Sequence, residues 1–237
     1  MAIILNIETA TTVCSVSLAK DGCLLALQEQ NGDYSHSENL TLFIQDVCRQ
    51  ASIALSDIDA IAVSKGPGSY TGLRIGVSTA KGLCYSLNKP LVAINTLQYL
   101  SLYVSENLKL YTDIYKNISA SPLFCPMLDA RRMEVYCAIY DSLNEEIKPI
   151  EAEIINECSF THLLKDNQLI FFGDGAEKCK SILSVNPNAI FIDGIFPSAK
   201  NMITLSEEAF ANNKFENVAY FEPFYLKDFM IGKSNRQ

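Results

Sequence analysis

The chain has 237 residues, a formal net charge of −8 and 49% hydrophobic residues, which exclude a disordered chain and general charge-driven binding of nucleic acid. If a nucleic acid takes part in the protein's function, we therefore expect another subunit to make most of the contact. The eight cysteines contain no C-x-x-C pair, which predicts reduced thiols in a cytoplasmic protein. No apolar run approaches the roughly 20 residues of a membrane span, so no membrane contact is expected.

The first hundred residues predict a regular order of elements. Residues 3–8 form a buried strand, and residues 12–19 alternate between apolar and polar as a second strand does. Asp21-Gly22 predicts a tight hairpin turn. Ser35 and Glu38 form a capping box that begins a helix. The remaining predicted strands and helices of this half are strands 23–28, 58–64 and 91–95, and helices 71–87 and 98–104.

A second layer of the same kind follows the polar stretch 106–121. Its predicted strands and helices are strands 123–130, 135–141, 150–155 and 169–172, and helices 177–184 and 202–212. Three strands in hairpin order, followed by alternating helix and strand, predict an α/β fold of ribonuclease-H-like layers with mixed sheets. We predict two lobes, residues 1–110 and a related but degenerate lobe at residues 111–237.

A glycine-rich loop joins the strand 58–64 to the helix 71–87. It lacks the Lys-Ser/Thr pair that ends a Walker loop, since Leu73-Arg74 follows its last glycine. Thr71 stands where a dinucleotide fingerprint needs its third glycine. The loop is therefore interpreted as a tight strand-to-helix connector, and whether its backbone amides also meet an anion stays open. The connector residues are Gly66, Pro67, Gly68, Ser69, Tyr70, Thr71 and Gly72.

The helix after the loop has a second face made of small residues. Its broad apolar side should lie on the sheet, and the opposite side carries Ile75 among small residues that would let another helix approach closely. Packing inside the same lobe is the alternative. We predict a protein interface shared with the preceding helix, formed by Leu40, Ile44, Val47, Ile75, Ser78, Thr79, Gly82 and Ser86.

Two pairs of residues are weaker candidates than the helix interface, and they could contact a nucleotide or another anion. Glu8 and Thr9 follow the first strand, where they could face a phosphate or simply satisfy the amides of a turn. Arg131 and Arg132 lie between Asp129 and Glu134. Strand periodicity would pair them with those carboxylates across a surface hairpin, whereas a cleft position would let them meet a phosphate.

Several segments together resemble the bacterial TsaB (YeaZ) family. The resemblance is strong over residues 1–100 and 126–140 and faint elsewhere. The segments that carry it are Ile4 to Thr9, Cys14 to Val16, His36 to Leu40, Gly66 to Gly76, Ala80 to Leu83, Asp129 to Arg132, Glu134 to Tyr136 and Tyr225 to Asp228.

The resemblance implies a fold, a function and partners. The fold would be the actin-like, sugar-kinase-like ATPase fold of two related lobes. The chain would be the non-catalytic partner of the TsaD subunit, which places the threonylcarbamoyl group on the adenosine beside the anticodon of certain tRNAs. The ATPase TsaE would join them, tRNA would be bound mainly through the complex, and the chain would form a homodimer when alone.

The histidines predict that this chain is not the catalyst. A metal site built on one helical turn needs histidines at i and i+4, and Leu40 occupies that position after His36. The only other histidine is His162. We therefore expect no metal and no intrinsic cofactor, and weak ATP or ADP binding stays open. A sugar-kinase-like phosphotransferase and a metallopeptidase-like protein remain the alternatives.

Overall fold

The computed structural model describes residues 2–32, 36–112, 118–119 and 121–227. Three predicted features therefore fall wholly or partly outside the described residues: the capping hydroxyl of Ser35, Asp228, and much of the region around the predicted lobe boundary. The first sheet has the order β3-β2-β1-β4-β5, antiparallel across the two hairpins and parallel from β1 to β5, as expected. Its strands are β1 Ile3–Glu8, β2 Val13–Lys20, β3 Cys23–Asn31, β4 Ala60–Gly66 and β5 Leu91–Asn95.

The second sheet repeats the topology of the first. Its order is β10-β9-β6-β7-β8, with antiparallel pairs β6–β7 and β7–β8 and parallel pairs β6–β9 and β9–β10. The short strand β10 was not predicted from the sequence. The strands are β6 Leu123–Asp129, β7 Glu134–Tyr140, β8 Glu146–Ile154, β9 Leu169–Phe172 and β10 Ala189–Phe191.

The described helices complete an α/β architecture. Two 3₁₀ turns, Leu55–Asp57 and Ala199–Met202, accompany them. The short helices α4 and α5 were not predicted, because four or five residues are too few to show helical periodicity. The helices are α1 His36–Ala51, α2 Tyr70–Leu87, α3 Thr96–Glu106, α4 Leu108–Thr112, α5 Thr161–Leu164, α6 Ala176–Leu183 and α7 Ile203–Ala211.

One continuous apolar core joins the two sheets. Helices α3 and α7 lie between them, and this core contains Ile4 and Val92 of the first sheet together with Phe124 and Phe172 of the second. A separate cluster lies under α1 and α2 on the outer face of the first sheet. A third lies under α5 and α6 on the outer face of the second. Because both sheets bury their inner faces against α3, the lobes share one interior.

The residues after α7 return to the first lobe. The Glu216 amide donates to the Leu91 carbonyl (2.9 Å), and the Phe224 amide donates to the Lys65 carbonyl (2.7 Å). We call residues 216–227 the strap. The predicted boundary separates the two sheets in sequence, but the 3₁₀ turn Ala199–Met202, α7 and the strap pack against the first lobe.

The structure bears on the expectations of reduced cysteines and of no membrane span. All eight cysteines are free thiols; six are buried, and Cys23 and Cys158 are exposed. No helix in the described part of the chain is both long and apolar enough to cross a membrane.

Candidate functional site

The carboxylate of Glu8 ends β1 in a fully buried position. It accepts hydrogen bonds from the Tyr99 hydroxyl of α3 (2.5 Å) and from the Ala10 amide. Burial raises the pKa of Glu8 to about 7, although hydrogen bonds from Tyr99 and from turn amides oppose the shift. The carboxylate therefore accepts hydrogen bonds from a turn amide and a tyrosine inside the protein. It has no exposed surface from which to contact a nucleotide.

Thr9 and Ala10 form the floor on which the glycine loop rests. The Thr9 hydroxyl donates to the Gly72 carbonyl (2.8 Å). A Cβ on Gly68 would overlap the Ala10 carbonyl, and one on Gly72 would overlap the Thr9 carbonyl. A Cβ on Gly76 would overlap the Thr9 hydroxyl in the same way. The glycines are needed because loop and helix touch the turn after β1 without any space between them.

Two amides of the loop are bonded within the protein. The Ser69 amide donates to the Ala10 carbonyl (2.6 Å), and the Ser69 side chain caps α2 by accepting from the Gly72 amide (3.3 Å). Gly66 has a φ of 104°, and on its outer side a Cβ would lie 2.9 Å from the Phe224 carbonyl of the strap. The loop is thus held between the turn after β1 and the strap.

The predicted interface divides into two groups of different exposure. On α2, Ser78, Gly82 and Ser86 are exposed, while Ile75 and Thr79 are half-buried. A Cβ added to Gly82 would meet nothing within 4 Å. Packing inside the lobe therefore explains the glycine at position 76 but not the one at position 82.

The three α1 residues of the predicted interface are core residues. Leu40, Ile44 and Val47 are at most 4% exposed and pack in the cluster under α1 and α2. The prediction is wrong for these three. The helical periodicity correctly identified one apolar stripe, but that stripe lies on the protein's own sheet.

Arg131 and Arg132 occupy the exposed turn between β6 and β7. Both have left-handed backbones, with φ of 71° and 50°, so the strand periodicity assumed for them does not apply. The carboxylates expected to pair with them form ion pairs with lysines, Asp129 with Lys178 and Glu134 with Lys227. The surface pairing considered for the arginines is therefore wrong.

A second acid with a raised pKa lies just after β9 and is partly buried. Asp174 belongs to the segment between Gly173 and Gly175, and its carboxylate accepts from the Asp129 amide (3.2 Å). Burial raises the pKa of Asp174 to about 6. Its charge is among the smaller causes that raise the pKa of Tyr99.

The two histidines lie apart in the structure. His36 begins α1 and is buried, with its Nε2 2.8 Å from the Thr11 carbonyl. His162 is exposed on α5. In the described ranges no group of three or more His, Cys, Asp or Glu side chains has the arrangement of a metal site.

Sequence reasoning missed three tyrosines, of which Tyr99 is buried and the other two are exposed. Tyr99 holds the carboxylate of Glu8 from 91 residues away, and no local pattern signals such a contact. Tyr85 is 87% exposed on α2, and Tyr220 of the strap is 84% exposed. Tyr85 could have been found from the sequence, because helical periodicity places its large ring among the small residues on the exposed side of α2.

Comparison with known proteins identifies the family. The sequence profile described as "TsaD: tRNA N6-adenosine threonylcarbamoyltransferase" matches residues 31–231. The Escherichia coli K12 protein described as "tRNA threonylcarbamoyladenosine biosynthesis protein TsaB" is 29% identical over 231 residues, covering 95% of this chain and 94% of that protein. The chain belongs to the TsaB (YeaZ) family, within the wider TsaD family.

Solved structures agree with this assignment at the level of the fold. YeaZ from Pseudomonas aeruginosa superposes with a TM-score of 0.78 at 23% identity, covering 95% of this chain and 100% of that one. The activator of 2-hydroxyisocaproyl-CoA dehydratase from Clostridium difficile, solved with bound ADPNP, superposes with a TM-score of 0.50 at 9% identity, covering 90% and 96%. The TsaB-family chain thus has the actin-like fold of two lobes with mixed sheets.

Proposed function

We propose that this chain is a non-catalytic subunit of tRNA threonylcarbamoyladenosine biosynthesis that acts by pairing with the TsaD catalytic subunit. The observation that carries the proposal is the exposed face of α2, where Gly82 has open space and Tyr85 stands 87% exposed beside it. An interior helical glycine costs about 1 kcal/mol relative to alanine, so a glycine with nothing packed on it is unexplained by the isolated chain. A partner helix that approaches closely explains it.

The region between the lobes supports a non-catalytic role. Glu8 is fully buried and hydrogen-bonded to Tyr99. Glycines of the loop and α2 lie directly against Thr9 and Ala10. Phosphoryl transfer needs open phosphate ligands and a positioned metal. We therefore propose that the chain has no catalytic centre of its own, and that any binding of ATP or ADP is weak and does not lead to turnover.

The partner we propose for the α2 face is the equivalent surface of a homologous lobe. In the working complex this is TsaD, and in its absence it is a second copy of the chain. TsaE and tRNA then join the assembled pair. A specific interface buries on the order of 1,000 Å² or more in total, which requires α2 to be joined by neighbouring surfaces. Tyr220 of the strap is available for this, because the Lys81 ammonium of α2 donates to the Ala219 (3.2 Å) and Phe221 (3.0 Å) carbonyls on either side of it.

Charge placed on the α2 face tests the pairing. Gly82→Arg and Ser78→Arg each put an unpaired guanidinium at an exposed position, so the fold should survive while co-purification with the TsaD subunit is lost. Gly82 is a better site than Ile75, which is half-buried against the lobe's own core. Ser181→Arg on α6 is the matched control, because Ser181 is exposed on the other lobe.

Each outcome of this experiment has a definite meaning. Loss of the complex for both α2 variants, with thermal unfolding unchanged and the Ser181→Arg complex intact, supports the proposed pairing. A complex that survives both substitutions contradicts the assignment of the interface.

Reconstitution of tRNA threonylcarbamoylation tests the function itself. The reaction should fail when this chain is omitted from the mixture with the TsaD and TsaE subunits, and this chain alone should not perform it. Activity of the chain alone would contradict the non-catalytic role. An unchanged rate on omission would remove the proposed function altogether.

A further inference from the structure

The turn between β6 and β7 contains two residues that its backbone does not favour. Arg131 and Arg132 are consecutive and both left-handed, a conformation that glycine, asparagine and aspartate adopt far more readily. A left-handed backbone costs an ordinary residue roughly 1–2 kcal/mol. Residues held in a disfavoured backbone conformation that no contact in the fold explains are candidates for function.

The charges of these arginines are not used by the hairpin that presents them. Asp129 and Glu134, the acids two residues away, form ion pairs with Lys178 and Lys227. Lys178 also donates to the Glu134 carbonyl (2.6 Å), which fastens the base of the turn. The lysines therefore neutralise the local acids, and the two guanidinium groups extend from the turn into solvent.

A third arginine is connected to this turn through the strap. Arg74 of α2 stacks on the Tyr70 ring, with 4.2 Å from its guanidinium carbon to the ring centre, and its Nε donates to the Tyr225 hydroxyl (3.3 Å). Lys227, two residues beyond Tyr225, bonds Glu134 at the base of the turn. Tyr225 and Lys227 are at most about 7 Å apart along the backbone, so the strap links the surroundings of Arg74 to the turn.

We propose that Arg74, Arg131 and Arg132 form a phosphate-binding edge that holds the backbone of an RNA. The inference rests on the proposed function and deepens it, because it assigns to this subunit a direct contact with the RNA substrate of the complex. Guanidinium groups bind phosphates through paired hydrogen bonds, and their charge is retained at any physiological pH.

The form of this edge favours a polyanion over a small molecule. Arg131 and Arg132 stand on an exposed turn, whereas small ligands require a concave pocket that encloses them. With a net charge of −8, the chain as a whole repels RNA, so the local cluster binds RNA only weakly by itself at low salt and adds its contacts mainly when another subunit holds the RNA nearby. The edge would then orient the RNA without capturing it alone.

The test uses variants that remove charge and relieve backbone strain together. The double variant Arg131→Asn, Arg132→Gly places residues that favour the left-handed backbone, so thermal stability should be equal or higher. We would titrate an unmodified tRNA transcript with adenosine beside the anticodon into the complex with the TsaD subunit at several salt concentrations. Each lost phosphate contact should reduce the slope of log affinity against log salt by about 1, or about 2 for the double variant.

Arg49→Ala provides the matched control. Arg49 is an exposed arginine near the end of α1, bonded to Asp46. It lies 13 residues along the helix from His36, which contacts the turn after β1, so at 1.5 Å per residue it is about 20 Å from that end. Its removal should leave the salt slope unchanged, whereas Arg74→Ala should reduce it by about 1.

The outcomes separate this inference from the proposed function. A complex that forms normally but binds tRNA with unchanged affinity and slope in the double variant overturns the phosphate-binding edge and leaves the pairing with TsaD intact. If no complex forms even with the unaltered chain, the pairing fails. The same titration on the isolated chain at low salt then decides: weaker binding by the double variant supports the edge, and equal binding overturns it.

Discussion

Glu8 is a residue whose burial moves its ionisation into the neutral pH range. A carboxylate with a pKa of about 7 in the folded chain and 4.5 as its ordinary value binds more protons when folded. Stability should therefore fall as pH rises from about 4.5 to 7 and then level off. The total loss is about 3 kcal/mol, at about 1.4 kcal/mol for each unit of pKa.

Glu8→Gln tests this linkage. The amide keeps an oxygen for the Tyr99 hydroxyl but cannot ionise, so its unfolding free energy should change less between about pH 6 and pH 8 than that of the unaltered chain. Chemical denaturation at a series of pH values measures the difference. Asp174, whose pKa is raised to about 6, affects mainly the lower part of the range. Parallel curves for the two proteins above pH 6 would show that Glu8 does not titrate there.

At the scale of the element, α2 has two sides with opposite requirements for glycine. Gly72 and Gly76 allow the helix to touch Thr9, while Gly82 touches nothing. The same substitution should therefore have opposite effects at the two ends of one helix.

Alanine substitutions measure this contrast. Gly72→Ala should destabilise the chain by roughly 1–3 kcal/mol, because the new methyl group overlaps the Thr9 carbonyl. Gly82→Ala should stabilise it by up to about 1 kcal/mol, because it removes a flexible residue from an exposed helix interior. Urea denaturation of both variants gives the two values. Equal effects would mean that helix propensity alone governs both sites.

The strands and helices also show which features of the fold can be predicted from local sequence patterns. β1, β5 and β9 were predicted at the residues where they occur, and α2 within one residue, because periodicity and turn residues are local signals. The stripe of Leu40, Ile44 and Val47 was visible, but periodicity cannot say whether a sheet or a partner covers an apolar side. The contacts of Glu8 with Tyr99 and of Lys81 with the strap join distant residues, so no local pattern contained them.

At the scale of the whole molecule, the two sheets with matching topology share one interior. The core around α3 draws on both sheets, and Ser198 bonds the Glu29 carboxylate of β3 (2.6 Å) while Ala199 bonds Ser15 of β2 (3.0 Å). Neither sheet can lose its packing without exposing apolar surface of the other.

We expect the chain to unfold in a single transition. Differential scanning calorimetry should give equal calorimetric and van't Hoff enthalpies, because the shared core couples the lobes. Ser15→Ala and Ser198→Ala remove hydrogen bonds between the first sheet and the segment before α7, so each should lower the midpoint without splitting the peak. Two resolved peaks would show that each sheet is stable by itself.

The strap has a consequence for synthesis on the ribosome. The glycine loop and α2 emerge early, but the Ala219 and Phe221 carbonyls and the Phe224 amide that hold this region belong to residues made later. Translation adds about 5–20 residues per second, so the nascent first lobe would wait roughly ten seconds for its last contacts. A product interrupted before residue 216 would present α2 without this support, and incomplete chains would therefore compete poorly for a partner.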